Sequence, residues 1–333
     1  MAVQASPQTL APFLIEPRFV PRVWGFDDLR PWFDWSRFEK GREAGDPLGE
    51  VWLTGDDCHI ATGPYSGKIL ADVIAQEPRA ILGPVAPRVE SPLLIKVIFA
   101  REKLSVQVHP DDKLAQKYGD PRGKTECWYA LDSQPDAQVA AGLKPGVTMD
   151  QVRAGIQNGT LEDSLNVLPV ERGDMIFVDA GTVHAIWPGS ILLETQQNCA
   201  LTYRMYDYGR PRELHIEKSL EATRLTTRAG KVLPVSRPDR TILVDVEYFR
   251  VERLPVRSQR SSASLAASDE PGPGLSYLFA AAGSARLTGE GFEPIEIPAR
   301  GLVCVPAVGS AFVLEDLGGL DLVRMSPRWP AAI

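Results

Sequence analysis

Residues 104–112 read L-S-V-Q-V-H-P-D-D. Side chains alternate along a strand, so Leu104, Val106 and Val108 should point one way and Ser105, Gln107 and His109 the other. Gln107 and His109 then sit side by side, two potential metal ligands on a strand whose opposite face is aliphatic. Pro110 cannot donate a ladder hydrogen bond and ends the strand. Asp111 or Asp112 can cap a helical turn over 113–118, which Gly119 closes. Taken alone, the nine residues more often describe a half-buried strand with a polar solvent face, and the rest of the chain decides between the two readings.

The chain has 333 residues, 44% hydrophobic and 24% charged, the profile of an ordinary soluble globular protein with room for two domains. A net charge of −7 leaves no basic surplus for nucleic acid or an anionic membrane, so any cationic site must be local. The first dozen residues lack the charged start and apolar core of a signal peptide, and no apolar run reaches membrane-spanning length, which points to the cytoplasm. Cys58, Cys127, Cys199 and Cys304 form no C-x-x-C pair, so buried free thiols are expected rather than a zinc knuckle or disulfide framework. The four histidines are His59, His109, His184 and His215, which leaves a histidine-dependent site few places to be. Oligomeric state is not legible in these residues.

Outward from the opening stretch, short runs rich in Val, Ile, Leu and aromatics recur between turn residues, with 28 Gly and 28 Pro, which favours a β core with modest helical additions. The stretch from Phe13 to Trp35 reads as an irregular cover carrying Trp24, Trp32 and Trp35. Gly49 to Leu53 reads as a strand, and helices are expected over 68–76 and 78–82. In L-L-I-K-V-I-F-A, residues 93–100, Lys96 either snorkels to water or faces an anionic site. In G-K-T-E-C-W-Y-A-L-D, 123–132, Glu126 shares a strand face with Trp128 and Ala130. Thr148 with Gln151 resembles a capping box, and Thr160 with Asp163 should open a second helix, making a small helical insert at about 145–167. The segment 171–186 is turn, strand, turn, then His184. Beyond it, Glu194 and Arg204 fall on the same parity and would line one cavity if no bulge intervened. A helix over 213–225 and a linker over 226–240 follow. The tail alternates as strands around a flexible loop, 261–274, and contains no histidine.

Q-V-H-P-D-D at 107–112, G-K-T-E-C-W-Y at 123–129, A-G-T-V-H-A-I at 180–186 and T-Y-R-M-Y-D-Y-G-R at 202–210 together resemble the type I mannose-6-phosphate isomerases in their short bacterial form. Order and spacing agree over roughly residues 10 to 225. The resemblance implies a mainly β fold, a cupin (jelly-roll) barrel, and the G-x5-D-A-G-x2-H run from Gly173 is similar to the second cupin motif with Asp179 where proline is usual. The expected division is a catalytic cupin domain, 1–236, holding the insert, and a smaller cupin-like β domain, 237–333, without metal ligands.

The resemblance further implies one divalent metal per chain, held by Gln107, His109, Glu126 and His184. Two imidazoles, a carboxylate and an amide oxygen suit Zn²⁺ best and would also accept Mn²⁺, Fe²⁺ or Co²⁺. Arg204, Glu194 and Lys124 match catalytic positions, and Lys96, Lys124 and Arg204 match positions near the substrate. A sugar phosphate needs such local cations. For Glu194 a structural ion pair with an arginine is the competing reading. The implied reaction interconverts mannose 6-phosphate and fructose 6-phosphate through an enediol, with Glu194, a metal-bound water and Lys124 all open as the proton carrier. A noncatalytic sugar-phosphate-binding cupin is the rival, and a metal-dependent cupin oxygenase a further one. Relatives usually carry Ser-Asp where this chain has Cys199 and Ala200, which bears on efficiency and substrate choice. His59 and His215 receive no role.

Overall fold

In the computed structural model, which describes residues 9–34, 46–265 and 274–329, the run Leu93–Phe99 is a strand buried at every position. A strand apolar on both faces belongs inside a sheet. It pairs with Leu48–Trp52 on one side and Ser190–Gln197 on the other. The resulting seven-stranded antiparallel sheet runs in the order Gly230–Lys231, Met175–Val178, Glu126–Ser133, Ser190–Gln197, Leu93–Phe99, Leu48–Trp52, Arg18–Phe26. The stretch from Phe13, expected to be irregular, instead supplies the strands Phe13–Ile15 and Arg18–Phe26. Pro21 is tolerated because Arg18–Phe26 is at the end of its sheet, where a missing N–H leaves no ladder bond unmade. Trp24 is buried in the core, and Trp35 lies outside the described residues.

A second, five-stranded antiparallel sheet runs Tyr203–Tyr206, Val106–Val108, His184–Ile186, Gln138–Leu143, Leu165–Pro169. The opening stretch contributes just three ladder residues to it, because Pro110 stops the strand and Asp111 turns the chain, accepting a 2.9 Å bond from Leu114 N–H as cap of the helix Asp112–Lys117. Val106 and Val108 pack with Val152 and Ile156 of the helix Met149–Asn158. Burial of such side chains stabilises by about 1.5–3 kcal/mol each. Leu104, outside the ladder, escapes the alternation and packs with Trp128 and Leu192.

The capping box of Thr148 and Gln151 is formed, and the helix ends on Gly159 at φ 72°. The second helix expected after Thr160 is a single 3-10 turn, Leu161–Ser164, because Leu165 is already paired with Leu143 in the sheet. Shorter helices span Leu70–Gln76, Pro78–Leu82 and Ile216–Ala222.

These two sheets belong to one compact unit, Leu93–Leu233 with the described residues of 19–52. The other unit comprises Leu53–Pro92 with the described residues of 1–18 and 234–333. Its nine-stranded antiparallel sheet is dominated by the pairing of Ser276–Thr288 with Val313–Pro327. Its buried polar centre is Glu252, paired with Arg324 and, at 3.3 Å, with Arg240. Residues 266–273, within the expected flexible loop, lie outside the described residues.

Candidate active site

The register of the seven-stranded sheet sets Trp52 beside Lys96, Lys96 beside Glu194, Glu194 beside Trp128 and Gln196 beside Glu126. With a side-chain period of two, these polar groups share one sheet face. In the five-stranded sheet Arg204 lies opposite Gln107 and Gln107 opposite His184. The two faces meet at a cavity of about 400 Å³, to which Gln107, Glu126, Lys96, Lys124, Glu194 and Arg204 all contribute. Glu194 and Arg204 do line one cavity, though not by parity. The chain leaves the first sheet after Gln197 and enters the second at Tyr203, so counting along it does not connect them.

Glu126 lines this cavity, and it meets His109 and His184 in a buried cluster in which all three are 1% exposed and the ligand atoms lie within 4.8 Å of one another. Glu126 Oε2 is 3.5 Å from His109 Nε2, and Oε1 is 3.5 Å from His184 Nε2. His184 Nδ1 donates to Thr182 O at 2.9 Å, which fixes its proton there and leaves the Nε2 lone pair facing the carboxylate. His109 Nε2 has no hydrogen-bond partner among the described residues. Burial first, then the nearby ammonium of Lys124, holds His109 well below its ordinary pKa, and burial brings His184 down to about 4. Both rings are therefore neutral at pH 7, the form that ligates. Gln107 stands beside them, its amide nitrogen 3.1 Å from His184 Nε2, and a half-turn of the amide presents its oxygen instead. These donors suit a divalent cation, and His109, Glu126 and His184 can hold one.

Charges alternate outward from the triad. Lys124 Nζ is 2.9 Å from Glu126 and 3.5 Å from Glu194, Lys96 Nζ is 3.3 Å from Glu194 and 3.2 Å from Glu50, and Arg22 is 2.8 Å from Glu50. Lys96 thus does not snorkel. Glu194 is paired with two lysines, and among the described residues no arginine pairs with it. Burial raises the Glu194 carboxyl above its ordinary range, Glu126 adds to the rise, and the lysines offset part of it. Burial also works to raise Glu50, but Lys96, Arg22 and a hydrogen bond from Trp52 outweigh it and hold Glu50 at about 2. For Lys124 burial works to lower the pKa, and Glu126 with Glu194 reverses this, so the ammonium keeps its proton.

Glu50, Arg22 and Trp52 were not singled out from sequence. Glu50 carries the same signal as Lys96, a charge inside an apolar strand, but its partner depends on a register that the sequence does not print. A second unforeseen group fixes the backbone around Lys124. Asp112 Oδ1 accepts from Gly123 N–H at 2.8 Å and from Gln197 Nε2 at 3.0 Å, while Gln197 Oε1 accepts from Thr125 N–H at 2.8 Å.

Arg204 is the contrasting cation. No carboxylate pairs with it among the described residues. Its guanidinium donates to Glu213 O at 2.8 Å, and its buried Nε has no hydrogen-bond partner. Neighbouring Arg212, by comparison, is engaged by Asp207 through two 2.6 Å bonds. Cys199 and Ala200 line the cavity too, with Cys199 Sγ donating to Arg122 O at 3.3 Å. All four cysteines are free. His59 is exposed, while His215 contacts Arg204.

The family description "Phosphomannose isomerase type I, catalytic domain" matches residues 22–150. A Bacillus subtilis protein named probable mannose-6-phosphate isomerase GmuF is 32% identical over 91% of this chain and 96% of its own. The mannose-6-phosphate isomerase ManA of the same organism is 35% identical over 64% of this chain and 68% of its own. A crystal structure of a Bacillus subtilis mannose 6-phosphate isomerase matches with a TM-score of 0.80 at 29% identity, covering 95% of this chain and 99% of that one. A phosphomannose isomerase from Salmonella typhimurium shares the fold at 15% identity, with a TM-score of 0.75 over 96% of this chain and 100% of that one. The fold is the mainly β cupin architecture that the sequence motifs led us to expect.

Proposed function

Because the chain belongs to the type I phosphomannose isomerase family, we propose that it is a mannose-6-phosphate isomerase, interconverting mannose 6-phosphate and fructose 6-phosphate in the cytoplasm. The observation that carries this reading is the juxtaposition of two neutral imidazoles with Glu126, whose carboxylate lines the cavity together with a protonated lysine against it and an arginine without a carboxylate partner among the described residues. Gln107, His109, Glu126 and His184 would hold one divalent ion, Zn²⁺ by its fit to this nitrogen and oxygen set. Bound there, the ion would polarise the sugar's carbonyl oxygen as a Lewis acid.

The chain's own residues do the rest. Glu194, a buried carboxyl raised above its ordinary range, suits transfer of a proton between C1 and C2, since a base works best with a pKa near the working pH. Lys124, which keeps its proton, contributes positive charge beside the developing enediolate rather than accepting the proton. Lys96, Lys124 and Arg204 supply the cations for the substrate. The half-buried Arg22 and the buried Lys96 and Lys124 are balanced by Glu50, Glu194 and Glu126, so a divalent ion and Arg204 would leave the cavity attractive to a phosphate dianion. The tail, 237–333, is assigned no metal ligand, and among the described residues the one three-ligand cluster lies elsewhere.

Ala200, which lines the cavity with a methyl group and offers no acid to the reaction, favours the second reading, a cupin that binds the sugar phosphate without turning it over. Conversion of mannose 6-phosphate by the metal-loaded protein, measured beside binding of the same sugar, separates them. Binding without conversion would contradict the isomerase assignment.

A further inference from the structure

We propose that His215, outside the catalytic set, is a positioning residue that fixes where the Arg204 guanidinium stands. The inference rests on the reading that Arg204 serves the substrate.

The strand Tyr203–Tyr206 is at the end of its sheet, with Val106–Val108 on one side and, among the described residues, no strand on the other. At Arg204 both backbone groups point to the open side. Arg204 N–H donates to His215 Nδ1 at 3.3 Å, and Arg204 O accepts from His215 N–H at 2.8 Å. His215 thereby imitates one residue of a missing neighbouring strand, its side chain standing in for a carbonyl. Because these groups face away from Gln107, Arg204 and Gln107 form a non-hydrogen-bonded cross-strand pair, the type in which side chains approach most closely. The same short segment holds the far end of the side chain, since the guanidinium donates to Glu213 O. Arg204 is thus gripped at its backbone and at its head by residues 213–215.

His215 is also the N-cap of the helix Ile216–Ala222, yet its side chain makes no capping bond. Ser, Thr, Asp or Asn at that position would cap the helix. The ring is turned onto Arg204 instead, so the helix forgoes a cap that a smaller polar residue would provide. Acceptance at Nδ1 requires the neutral ring to carry its proton on Nε2, and the Glu213 carboxylate lies 3.8 Å from that atom.

This arrangement offers a substitution that separates positioning from folding. His215→Ser can cap the helix but is too short to reach the Arg204 amide. The expected variant melts at or above the parent, binds the same metal, exchanges its Arg204 amide with deuterium faster and loses on the order of tenfold in kcat/KM for mannose 6-phosphate, the lower end for a residue supporting a functional group. Added to Arg204→Lys, it should cost no further activity, because it acts through the guanidinium. Unchanged kcat/KM, an equal loss in the Arg204→Lys background, or a loss that follows unfolding would each overturn the proposal. Should the variant not fold, the parent decides: a protected Arg204 amide supports the proposal and a freely exchanging one refutes it. Arg204→Lys with normal turnover would instead sink the reading of Arg204 itself.

Discussion

Lys124 Nζ lies 2.9 Å from Glu126 Oε2, so a buried cation touches the carboxylate that sits between the two imidazoles. Removing that cation leaves Glu126 and Glu194 buried with one neighbour fewer, a change that costs about 3–5 kcal/mol when nothing replaces it. A metal ion on Glu126 would replace part of it. Lys124→Met is therefore expected to melt far below the parent when metal-free and to recover more than the parent does on metal loading, while turnover stays at least a hundredfold down. Calorimetry of both proteins, stripped and loaded, measures this, and an equal metal-induced shift in the two would count against a shared site.

Arg204→Lys should keep the metal and the melting temperature while losing on the order of a hundredfold or more in kcat, since an ammonium cannot reproduce the planar fork of a guanidinium. The alternative in which Arg204 is a structural partner of Glu194 has no support in the geometry, where Glu194 pairs with Lys96 and Lys124. Near-normal kcat in a folded, metallated variant would remove Arg204 from the reaction.

Glu50 is held at about 2 against an ordinary 4.5, and a depressed carboxyl stabilises the fold above its unfolded pKa. That contribution is present above about 4.5 and is lost as pH falls towards 2. Glu50→Gln should thus be less stable at pH 7, with a shallower loss of stability on acidification across that window. Glu194 is pushed the other way, in part by the Glu50 charge itself, so Glu50→Gln also relaxes Glu194, and the variant is compared with the parent on slope across the acid window. Urea unfolding from pH 3 to 7 gives both slopes, and parallel curves would contradict the assignment.

Gly123→Ala tests the brace beneath Lys124. A Cβ at this position would collide with the backbone of Pro110 and Asp111, next to His109. Neither side is a flexible side chain that can yield, so the loop must shift. Stability should fall by about 1–3 kcal/mol and metal affinity should fall with it; a variant that binds metal as the parent does would show that the turn can move without disturbing the ligands.

What was legible in the residues themselves was the charge inside an apolar run at Lys96 and Glu126 and the polar face that Gln107 shares with His109, whereas the ligand set and the part given to Glu194 came from the resemblance of the four motifs. Gln107, Glu126, Lys96 and Glu194 all line the cavity. The ladder between strands was not legible, and Glu50 was missed for that reason although it interrupts its strand as plainly as Lys96 does. His215 was missed differently: its bond to Arg204 spans a turn whose shape depends on tertiary packing, and a lone histidine before a helix carries no pattern. Local propensity misled at Thr160, where sheet pairing by Leu165 captures the chain after a single turn, and the stretch expected to be irregular from Phe13 instead forms two strands.

On the proposed function, isomerisation depends on one metal ion held by Gln107, His109, Glu126 and His184. The most direct test of this dependence is a titration in which chelator-stripped protein is reloaded with Zn²⁺ while metal content and conversion of mannose 6-phosphate are read on the same samples. We predict no conversion in the stripped protein, recovery in proportion to metal up to one ion per chain, and neither metal nor recovery in His184→Ala. Full conversion by protein shown to be metal-free, or stoichiometric metal in His184→Ala, would contradict it.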